Sequence, residues 1–551
     1  MYRISLEMYI LLTVQLIYVL LESDEAQAFQ RPLTPPPTYP QPLNLYTQAM
    51  GSAKKLLIAV IAIGALALTS CSSPSKQTFP DASNDASTLN WQECNGNFQC
   101  ATLEVPIDYS DTTLGQFDIA VIRYRDPGQH DRIGSLVINP GGPGVSGIEY
   151  ARSAQYILSP DVLERYDIVG FDPRGIGASA PIHCLSDAEQ DAVLASDPKP
   201  DNDAEYTQAL SDTQGFIDKC VAKTANLAHF STEDAARDME LLRQALGEEK
   251  LNYMGFSYGT YLGTLYAQAF PNNVGRFVLD GAINPSISIE QQSLIQAVAF
   301  DQALANFIAD CAQEKNCPLP TNATPAFFTE LFNKVVAKPL TITNGESTRL
   351  ITEGLVVTGT ASALYDDASG WPQLRTAISQ ALQGDGSGFA QLADGYNGRK
   401  SDGTYRDNQN DANIIINCLD WQEFRSNDAI RAAVTKFIKA APIFGPYVAY
   451  SGITCNVLNQ AIGRTQITTD QNTAQIRNTA TPILIIGTTQ DPATPYAWAK
   501  GLANYIAGSR LITLKGEGHT GYGRGSACVD DAVDAYLLTG TAPTTNLTCT
   551  Q

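Results

Sequence analysis

The feature that most constrains the fold is an alternation of short apolar runs with amphipathic, helix-forming stretches. The runs lie at 119–122, 135–138, 166–171, 251–255, 277–280, 483–486 and 511–514, and glycine, proline or aspartate follows most of them. Short apolar runs bounded by turn residues are typical of buried strands. Strands that alternate with helices form a mostly parallel sheet with helices on both faces. The sequence therefore predicts an α/β fold.

The pattern changes between the strands predicted at 277–280 and 483–486. Helix-like stretches dominate there, for example 294–308 and 372–382, and a Gly/Asp/Asn-rich region at 384–413 interrupts them. We expect residues 91–284 and 481–551 to form one core, and residues 285–480 to form a large helical lid insertion over the strand ends. In the first core segment, Ser231 or Thr232 is expected to cap a helix that ends before Gly247.

The N-terminal region contains an export signal that begins at Met50. Two lysines precede an apolar run, Leu56 to Leu68, which is followed by small residues and Cys71. This pattern indicates a secretory signal peptide, and Leu68-Thr69-Ser70-Cys71 resembles the lipobox of bacterial lipoproteins. We therefore predict a lipoprotein signal peptide at 50–70, a lipid on Cys71 as the contact with the membrane, and a polar tether at 71–90.

Other interpretations of the N-terminal region are an ordinary signal peptide with a chance cysteine, or a membrane anchor that is never cut. Residues 1–49 do not fit a signal peptide that starts at Met50, and we interpret them as an extension upstream of the true start. Alternatively, Ala26-Gln27-Ala28 is itself a cleavage site.

The chain contains 11 cysteines, an odd number. If Cys71 carries a lipid, the remaining ten fall into five pairs of sequence neighbours: 94 with 100, 184 with 220, 311 with 317, 418 with 455, and 528 with 549. An even number of cysteines in an exported protein favours disulfides, and nearest-neighbour pairing is the favoured connectivity. The chain has no CxxC spacing and only four histidines, which argues against a zinc site.

Composition narrows the possible partners. With 57 acidic and 36 basic residues, the net charge of −21 argues against a nucleic-acid partner, because a phosphate backbone requires a basic surface. A hydrophobic content of 44% supports a folded core.

Gly255-Phe256-Ser257-Tyr258-Gly259 is a candidate nucleophile motif of the form G-x-S-x-G. The motif alone is weak, but here it follows a predicted strand and precedes a helix start, which is the setting of a nucleophile elbow. Glycines suit the sharp turn that exposes the serine. The alternative is a plain glycine-rich turn.

A nucleophilic serine requires a base and an orienting acid. His519 follows the last predicted strand, whereas the other three histidines lie in polar turns or loops. Asp491 follows the strand at 483–486 and gives the chain order Ser, Asp, His. Asp280 and Asp420 are the rival acids.

The oxyanion of the reaction requires two backbone donors. We expect them to be the N–H of Tyr258, directly after the nucleophile, and the N–H of Gly142, with Gly141 as a near neighbour. Asp172 precedes the serine in the chain, so we interpret Asp172 and Arg174 as parts of a structural turn.

These motifs together resemble those of the secreted bacterial tripeptidyl aminopeptidases, α/β-hydrolase serine exopeptidases related to prolyl aminopeptidases. The motifs are Asn139-Pro-Gly-Gly-Pro-Gly144, Asp172-Pro-Arg-Gly-Ile-Gly177, Gly255-Phe-Ser-Tyr-Gly-Thr-Tyr-Leu-Gly263, Asp491-Pro-Ala-Thr-Pro495 and Gly518-His519. The resemblance covers about residues 90–551. It implies an α/β-hydrolase fold and the release of residues from the free N-terminus of short peptides, without a metal or an organic cofactor.

Carried over position by position, the resemblance makes Ser257 the nucleophile, Asp491 the acid and His519 the base. The family binds the substrate amine with acidic side chains. Candidates here are Glu149, Asp366, Asp367 and Asp420, although solvated surface acids are the simpler interpretation.

Two other functions are compatible with these residues. A carboxylesterase or other small-ester hydrolase would use the same triad. A surface binding protein on an inactive hydrolase scaffold is the third possibility, and the intact triad argues against it. The oligomeric state stays open.

Overall fold

The computed structural model describes residues 89–344, 347–420, 425–464, 475–477 and 479–551. The extension at 1–49, the signal peptide at 50–70, Cys71 and the tether up to residue 88 lie outside the described residues. The interpretations of these segments therefore stay predictions.

A ten-stranded sheet forms the centre of the described part of the chain. Its order is β1-β2-β3-β5-β4-β6-β7-β10-β11-β12. The strands are β1 Gln92–Asn95, β2 Phe98–Pro106, β3 Gln116–Tyr124, β4 Gly134–Asn139, β5 Tyr166–Phe171, β6 Leu251–Phe256, β7 Val274–Asp280, β10 Leu484–Gln490, β11 Arg510–Glu517 and β12 Leu547–Thr550; β8 Leu340–Asn344 and β9 Ser347–Ile351 form a separate hairpin. Every pair from β5 to β12 in the sheet order is parallel, whereas β1, β2 and β3 pair antiparallel. The mostly parallel sheet confirms the predicted fold class.

Helices pack on both faces of this sheet, as predicted, and the described ranges contain 18 α-helices in all. They are α1 Gly147–Arg152, α2 Ala154–Ile157, α3 Pro160–Leu163, α4 Asp187–Leu194, α5 Asp203–Lys223, α6 Thr232–Ala245, α7 Tyr258–Ala269, α8 Ile289–Cys311, α9 Ala326–Ala337, α10 Glu353–Ala363, α11 Gly370–Ala381, α12 Ser387–Asn397, α13 Gln409–Asp420, α14 Asn427–Ala440, α15 Gly445–Val448, α16 Gly452–Ala461, α17 Tyr496–Tyr505 and α18 Ala527–Thr539. Alternate residues of β4 show the two faces. Leu136 and Ile138 pack in the core that contains α18, and Val137 packs in the core that contains α6 and α7. Within the described ranges, no helix has the length and apolar character needed to cross a membrane.

The connection between β7 and β10 has a hydrophobic core of its own. Residues of α8 to α12 and the β8–β9 hairpin form this second core, which includes Leu304, Phe307 and Leu374. Helices α13 and α16, in contrast, pack in the same core as the sheet, through residues such as Ile415 and Leu458. The predicted lid boundaries at 285 and 480 stay a prediction.

One local prediction was wrong. The region 384–413 was expected to interrupt the helices, but it contains α12. Phe389, Leu392 and Ala393 are buried on one side of this helix, and the Asp385 carboxylate accepts the N–H and hydroxyl of Ser387 at 2.9 and 2.5 Å. Burial of an apolar face stabilises a helix whose polar, glycine-containing sequence does not suggest one.

Five disulfides join the sequence neighbours, as predicted. They are Cys94–Cys100, Cys184–Cys220, Cys311–Cys317, Cys418–Cys455 and Cys528–Cys549. The last of them attaches the edge strand β12 to α18.

Candidate active site

Five parallel strands that are neighbours in the sheet carry the candidate residues at one edge. In sheet order, Gly142 follows β4, Ser257 follows β6, Asp280 ends β7, Asp491 follows β10 and His519 follows β11. The carboxyl ends of parallel strands lie on the same side, and ligands of open α/β sheets bind there. The topology therefore gathers these residues from positions far apart in the chain.

Ser257 lies on a strained turn between β6 and α7. Its φ of 54° and ψ of −124° are unusual for a residue with a side chain, and its backbone N–H donates to the carbonyl of Asp280 at 2.8 Å. This conformation is that of a nucleophile elbow. Strain at a single half-buried serine is typical of a functional position.

His519 contacts Asp491 through its Nδ1 atom. The distances from Nδ1 to the two carboxylate oxygens are 2.9 and 3.0 Å, and Asp491 is only 2% exposed. Because an ionised carboxylate only accepts hydrogen bonds, Nδ1 carries the proton and Nε2 is left as the basic nitrogen. The carboxylate also accepts the N–H groups of Ala493, Thr494 and Thr520 at 2.9, 2.8 and 3.2 Å.

The two rival acids, both in the described ranges, contact other groups. The Asp280 carboxylate accepts the N–H groups of Gly521 and Tyr522 at 2.8 to 3.0 Å, and burial raises its pKa to about 6. The Asp420 carboxylate accepts the N–H and the hydroxyl of Thr232, and loss of hydration raises the pKa of Asp420 to about 7. Asp280 thus connects the serine turn, through its carbonyl, to the loop that carries His519, through its side chain.

The loop after β4 lies directly against the serine turn. At Gly141, whose φ is 100°, a Cβ atom would lie 2.9 Å from Ser257 Cβ and 3.0 Å from the Tyr258 nitrogen, so only glycine fits. The Gly141 N–H donates to Asn139 Oδ1 at 3.0 Å. Among the described residues, no acceptor contacts the N–H of Gly142 or Tyr258. This arrangement agrees with the choice of Gly142 over Gly141 as a donor.

The sequence did not reveal two further residues of the site. Thr494 Oγ1 donates to Asp491 Oδ2 at 2.9 Å and lies 3.2 Å from His519 Nδ1. The backbone carbonyl of Tyr365 accepts the backbone N–H of His519 at 2.8 Å. The side-chain rings of the two residues meet edge to face with centroids 5.2 Å apart. The position of Thr494, three residues after the acid, is a local signal for a side-chain-to-backbone turn. Tyr365 has no such signal, because its contact is long-range.

The candidate amine-binding acids have other partners. Asp366 and Asp367 form ion pairs with Arg524 at 3.2 and 3.0 Å, and Glu149 forms one on the surface of its own helix. Asp420 is half-buried, and its carboxylate accepts the N–H and the hydroxyl of Thr232, so it is not the freely solvated surface acid expected from the sequence.

The structural-turn interpretation of Asp172 and Arg174 agrees with their contacts. Asp172 accepts the hydroxyl of Ser146 at 2.6 Å and the N–H of Ala178 at 2.9 Å. Arg174 is fully buried and donates through two nitrogens to Asp238 at 2.8 and 2.6 Å. Within the part of the chain that the structure describes, no three His, Cys, Asp or Glu side chains are grouped to hold a metal ion. That the reaction needs no metal or cofactor stays a prediction.

Comparison with known proteins gives consistent results. The α/β hydrolase fold family matches residues 134–525, a range that includes all three candidate triad residues. The chain is 37% identical over 467 residues to serine protease Hip1 of Mycobacterium tuberculosis, covering 82% of this chain and 88% of that protein. It is 36% identical over 461 residues to carboxylesterase B of Mycobacterium tuberculosis, covering 82% and 86%. It is 30% identical over 484 residues to tripeptidyl aminopeptidase of Streptomyces coelicolor, covering 84% and 86%. The chain therefore belongs to the α/β hydrolase family.

Proposed function

We propose that this protein is a serine peptidase that hydrolyses short peptides near their free N-terminus. The observation that carries the proposal is the contact between His519 Nδ1 and Asp491, at the same sheet edge as the strained turn of Ser257. The relatives named serine protease and tripeptidyl aminopeptidase support a peptidase.

In the first half of the reaction, Ser257 Oγ attacks the scissile carbonyl carbon and His519 Nε2 takes the hydroxyl proton. Asp491 holds the imidazole in the tautomer that leaves Nε2 free and stabilises the imidazolium. The carbonyl oxygen becomes an oxyanion, which accepts hydrogen bonds from the N–H groups of Gly142 and Tyr258.

In the second half, the imidazolium of His519 gives its proton to the leaving amine, and the N-terminal part of the peptide stays as an ester on Ser257. A water molecule then attacks this ester, again with His519 as the base. Collapse of the second tetrahedral intermediate releases the peptide acid and regenerates the serine hydroxyl.

The proposal is tested with the full-length protein on three substrate classes: di- and tripeptide amides of a chromogenic amine, the same peptides with blocked N-termini, and short-chain esters. A Ser257→Ala variant is the control. We expect hydrolysis of free-amine peptides by the wild type and none by the variant. Cleavage of blocked peptides alone would refute the exopeptidase assignment.

Esterase activity is the alternative function, supported by the similarity to carboxylesterase B. The triad and the oxyanion donors act on an ester carbonyl in the same way, so the distinction depends on how the substrate binds. Turnover of esters without turnover of any peptide amide would establish the esterase.

We also propose that the protein is anchored to the membrane by a lipid on Cys71. The five disulfides are typical of a protein that works outside the cytoplasm, and the lipobox-like sequence supports the anchor. Growth of the producing bacterium with an alkyne fatty acid should label the wild type and not Cys71→Ser. A native protein that retains residues upstream of Cys71 would contradict cleavage at this position.

A further inference from the structure

Helix α13 contacts the loop that carries Gly142. The Asn413 side chain donates from Nδ2 to the carbonyl of Pro143 at 2.9 Å. At Gly144, a Cβ atom would lie 2.5 Å from the carbonyl oxygen of Gln409, so the loop and the start of α13 are in close backbone contact. The loop residue after Gly142 is therefore held by a side chain of this helix.

The C-terminal end of α13 is linked through Thr232 to Tyr258, the other oxyanion donor. Asp420, the last residue of α13, accepts the N–H of Thr232 at 2.7 Å and its hydroxyl at 2.6 Å. The Thr232 hydroxyl also forms a hydrogen bond with the phenol of Tyr258, whose side chain is buried. Since Tyr258 directly follows the nucleophile, its ring fixes the residue that carries the second N–H.

Further contacts attach α13 to the core. Asp411 Oδ2 accepts the N–H groups of Cys184 and Leu185 at 2.7 and 3.2 Å, and the disulfide Cys418–Cys455 joins α13 to α16. The carboxylate of Asp420 is half-buried, and both of its oxygens accept hydrogen bonds from Thr232. Because α13 is attached to the core at several points, these bonds fix the position of Thr232.

We propose that α13 positions both oxyanion donors, with Asn413 as the positioning residue for the Gly142 loop and Asp420, through Thr232, as the positioning residue for Tyr258. The inference rests on the proposed function, because it takes Gly142 and Tyr258 as the oxyanion donors. Oxyanion donors act only when they are held within about 0.5 Å of the required geometry. Loss of one donor costs about 10²–10³ in turnover.

The test measures the rate at which a fluorophosphonate labels Ser257 in the full-length protein. Attack of Ser257 Oγ on phosphorus forms the O–P bond and expels fluoride, while His519 takes the serine proton. The phosphoryl oxygen occupies the oxyanion position, so the rate reports on the donors without requiring the natural substrate. We expect Asn413→Ala and Thr232→Val each to slow labelling by about tenfold or more.

Two matched variants separate positioning from general damage. Asn410 lies on the same helix, but its side chain donates from Nδ2 to the carbonyl of Asn397 at 3.0 Å and not to the loop that carries Gly142, so Asn410→Ala should label within about twofold of the wild type. Asp420→Asn can still bond both polar groups of Thr232, and we expect it to retain most of the rate. With peptide amides, the loss in Asn413→Ala and Thr232→Val should fall on kcat, with KM within about twofold.

Labelling of Asn413→Ala and Thr232→Val at the rate of Asn410→Ala would refute the positioning role. If one of these two variants does not fold, the other still tests its own end of the helix. A wild-type protein that is not labelled at Ser257 would refute the proposed function itself, and with it the positioning role.

Discussion

Replacement of Asp491 by asparagine tests the triad most directly. Oδ1 of Asp491 accepts two backbone N–H groups, from Ala493 at 2.9 Å and Thr494 at 2.8 Å. These donors are fixed, so the amide oxygen of the asparagine should take the Oδ1 position. The NH₂ group then occupies the Oδ2 position, 2.9 Å from His519 Nδ1.

An NH₂ group at this position donates to Nδ1 and places the imidazole proton on Nε2. His519 can then no longer accept the proton of Ser257, and the imidazolium also loses its anionic partner. We expect kcat/KM for a peptide amide to fall by about 10⁴, which corresponds to about 5.4 kcal/mol of transition-state stabilisation. The thermal unfolding midpoint should fall only modestly, because the shape of the side chain is retained and only the 3.2 Å bond from the Thr520 N–H loses its acceptor.

The measurement compares kcat/KM of Asp491→Asn with that of Asp280→Asn and Asp420→Asn at neutral pH. Asp280 and Asp420 are the rival acids, and both contact groups other than the imidazole. We expect smaller losses in these two variants. A larger loss in either of them, or a loss of less than about tenfold in Asp491→Asn, would show that the acid has been assigned to the wrong residue.

Three further predictions concern the surroundings of the triad and the edge of the sheet. Thr494→Val removes a hydrogen bond to the buried carboxylate of Asp491, worth about 1.5–3 kcal/mol, so kcat/KM should fall by about 10- to 100-fold. Thr494→Ser keeps the hydroxyl and should retain activity, and equal rates for the valine and serine variants would contradict this role. Burial raises the pKa of Asp280 from 3.8 to about 6, so between these values the folded protein keeps a proton that the unfolded chain has lost. As pH rises from about 4 to about 7, the wild type should therefore lose up to about 3 kcal/mol of unfolding free energy relative to Asp280→Asn, measured by urea unfolding, and a constant difference would refute the shift. Replacement of Cys528 and Cys549 by serine opens a loop with a sequence separation of 21 and should lower the unfolding free energy by about 3 kcal/mol, and an unchanged urea midpoint would contradict this value.

The sequence was sufficient to predict the features that depend on local order. The apolar runs 166–171 and 251–255 became β5 and β6 because a buried strand requires only a short run of apolar residues between turns. The disulfide pairings were also predictable, since neighbours such as Cys311 and Cys317 are only 6 residues apart.

Features that depend on contacts between distant segments could not be predicted. The carbonyl of Tyr365 bonds the backbone of His519, and no local pattern marks a residue for such a contact. Helix α13 lies inside the predicted lid, but it packs in the core of the sheet through Ile415 and Ile416. Its attachment depends on Asn413 reaching the loop after β4 and Asp420 reaching the first residue of α6, and composition carries no information about either contact.

The choice between Asp280 and Asp491 shows where sequence reasoning about the site becomes insufficient. Both residues lie at the ends of strands between the serine and the histidine, so chain order is compatible with either of them. Sheet order makes the distinction: β10 is the neighbour of β11, which leads to His519, whereas β7 is one strand further away. Adjacent strands are about 4.8 Å apart. Asp491 after β10 can therefore reach the imidazole of His519, whereas Asp280 on β7 reaches only the backbone N–H groups that follow His519. The role of each carboxylate follows from its place in the sheet, which the sequence does not state.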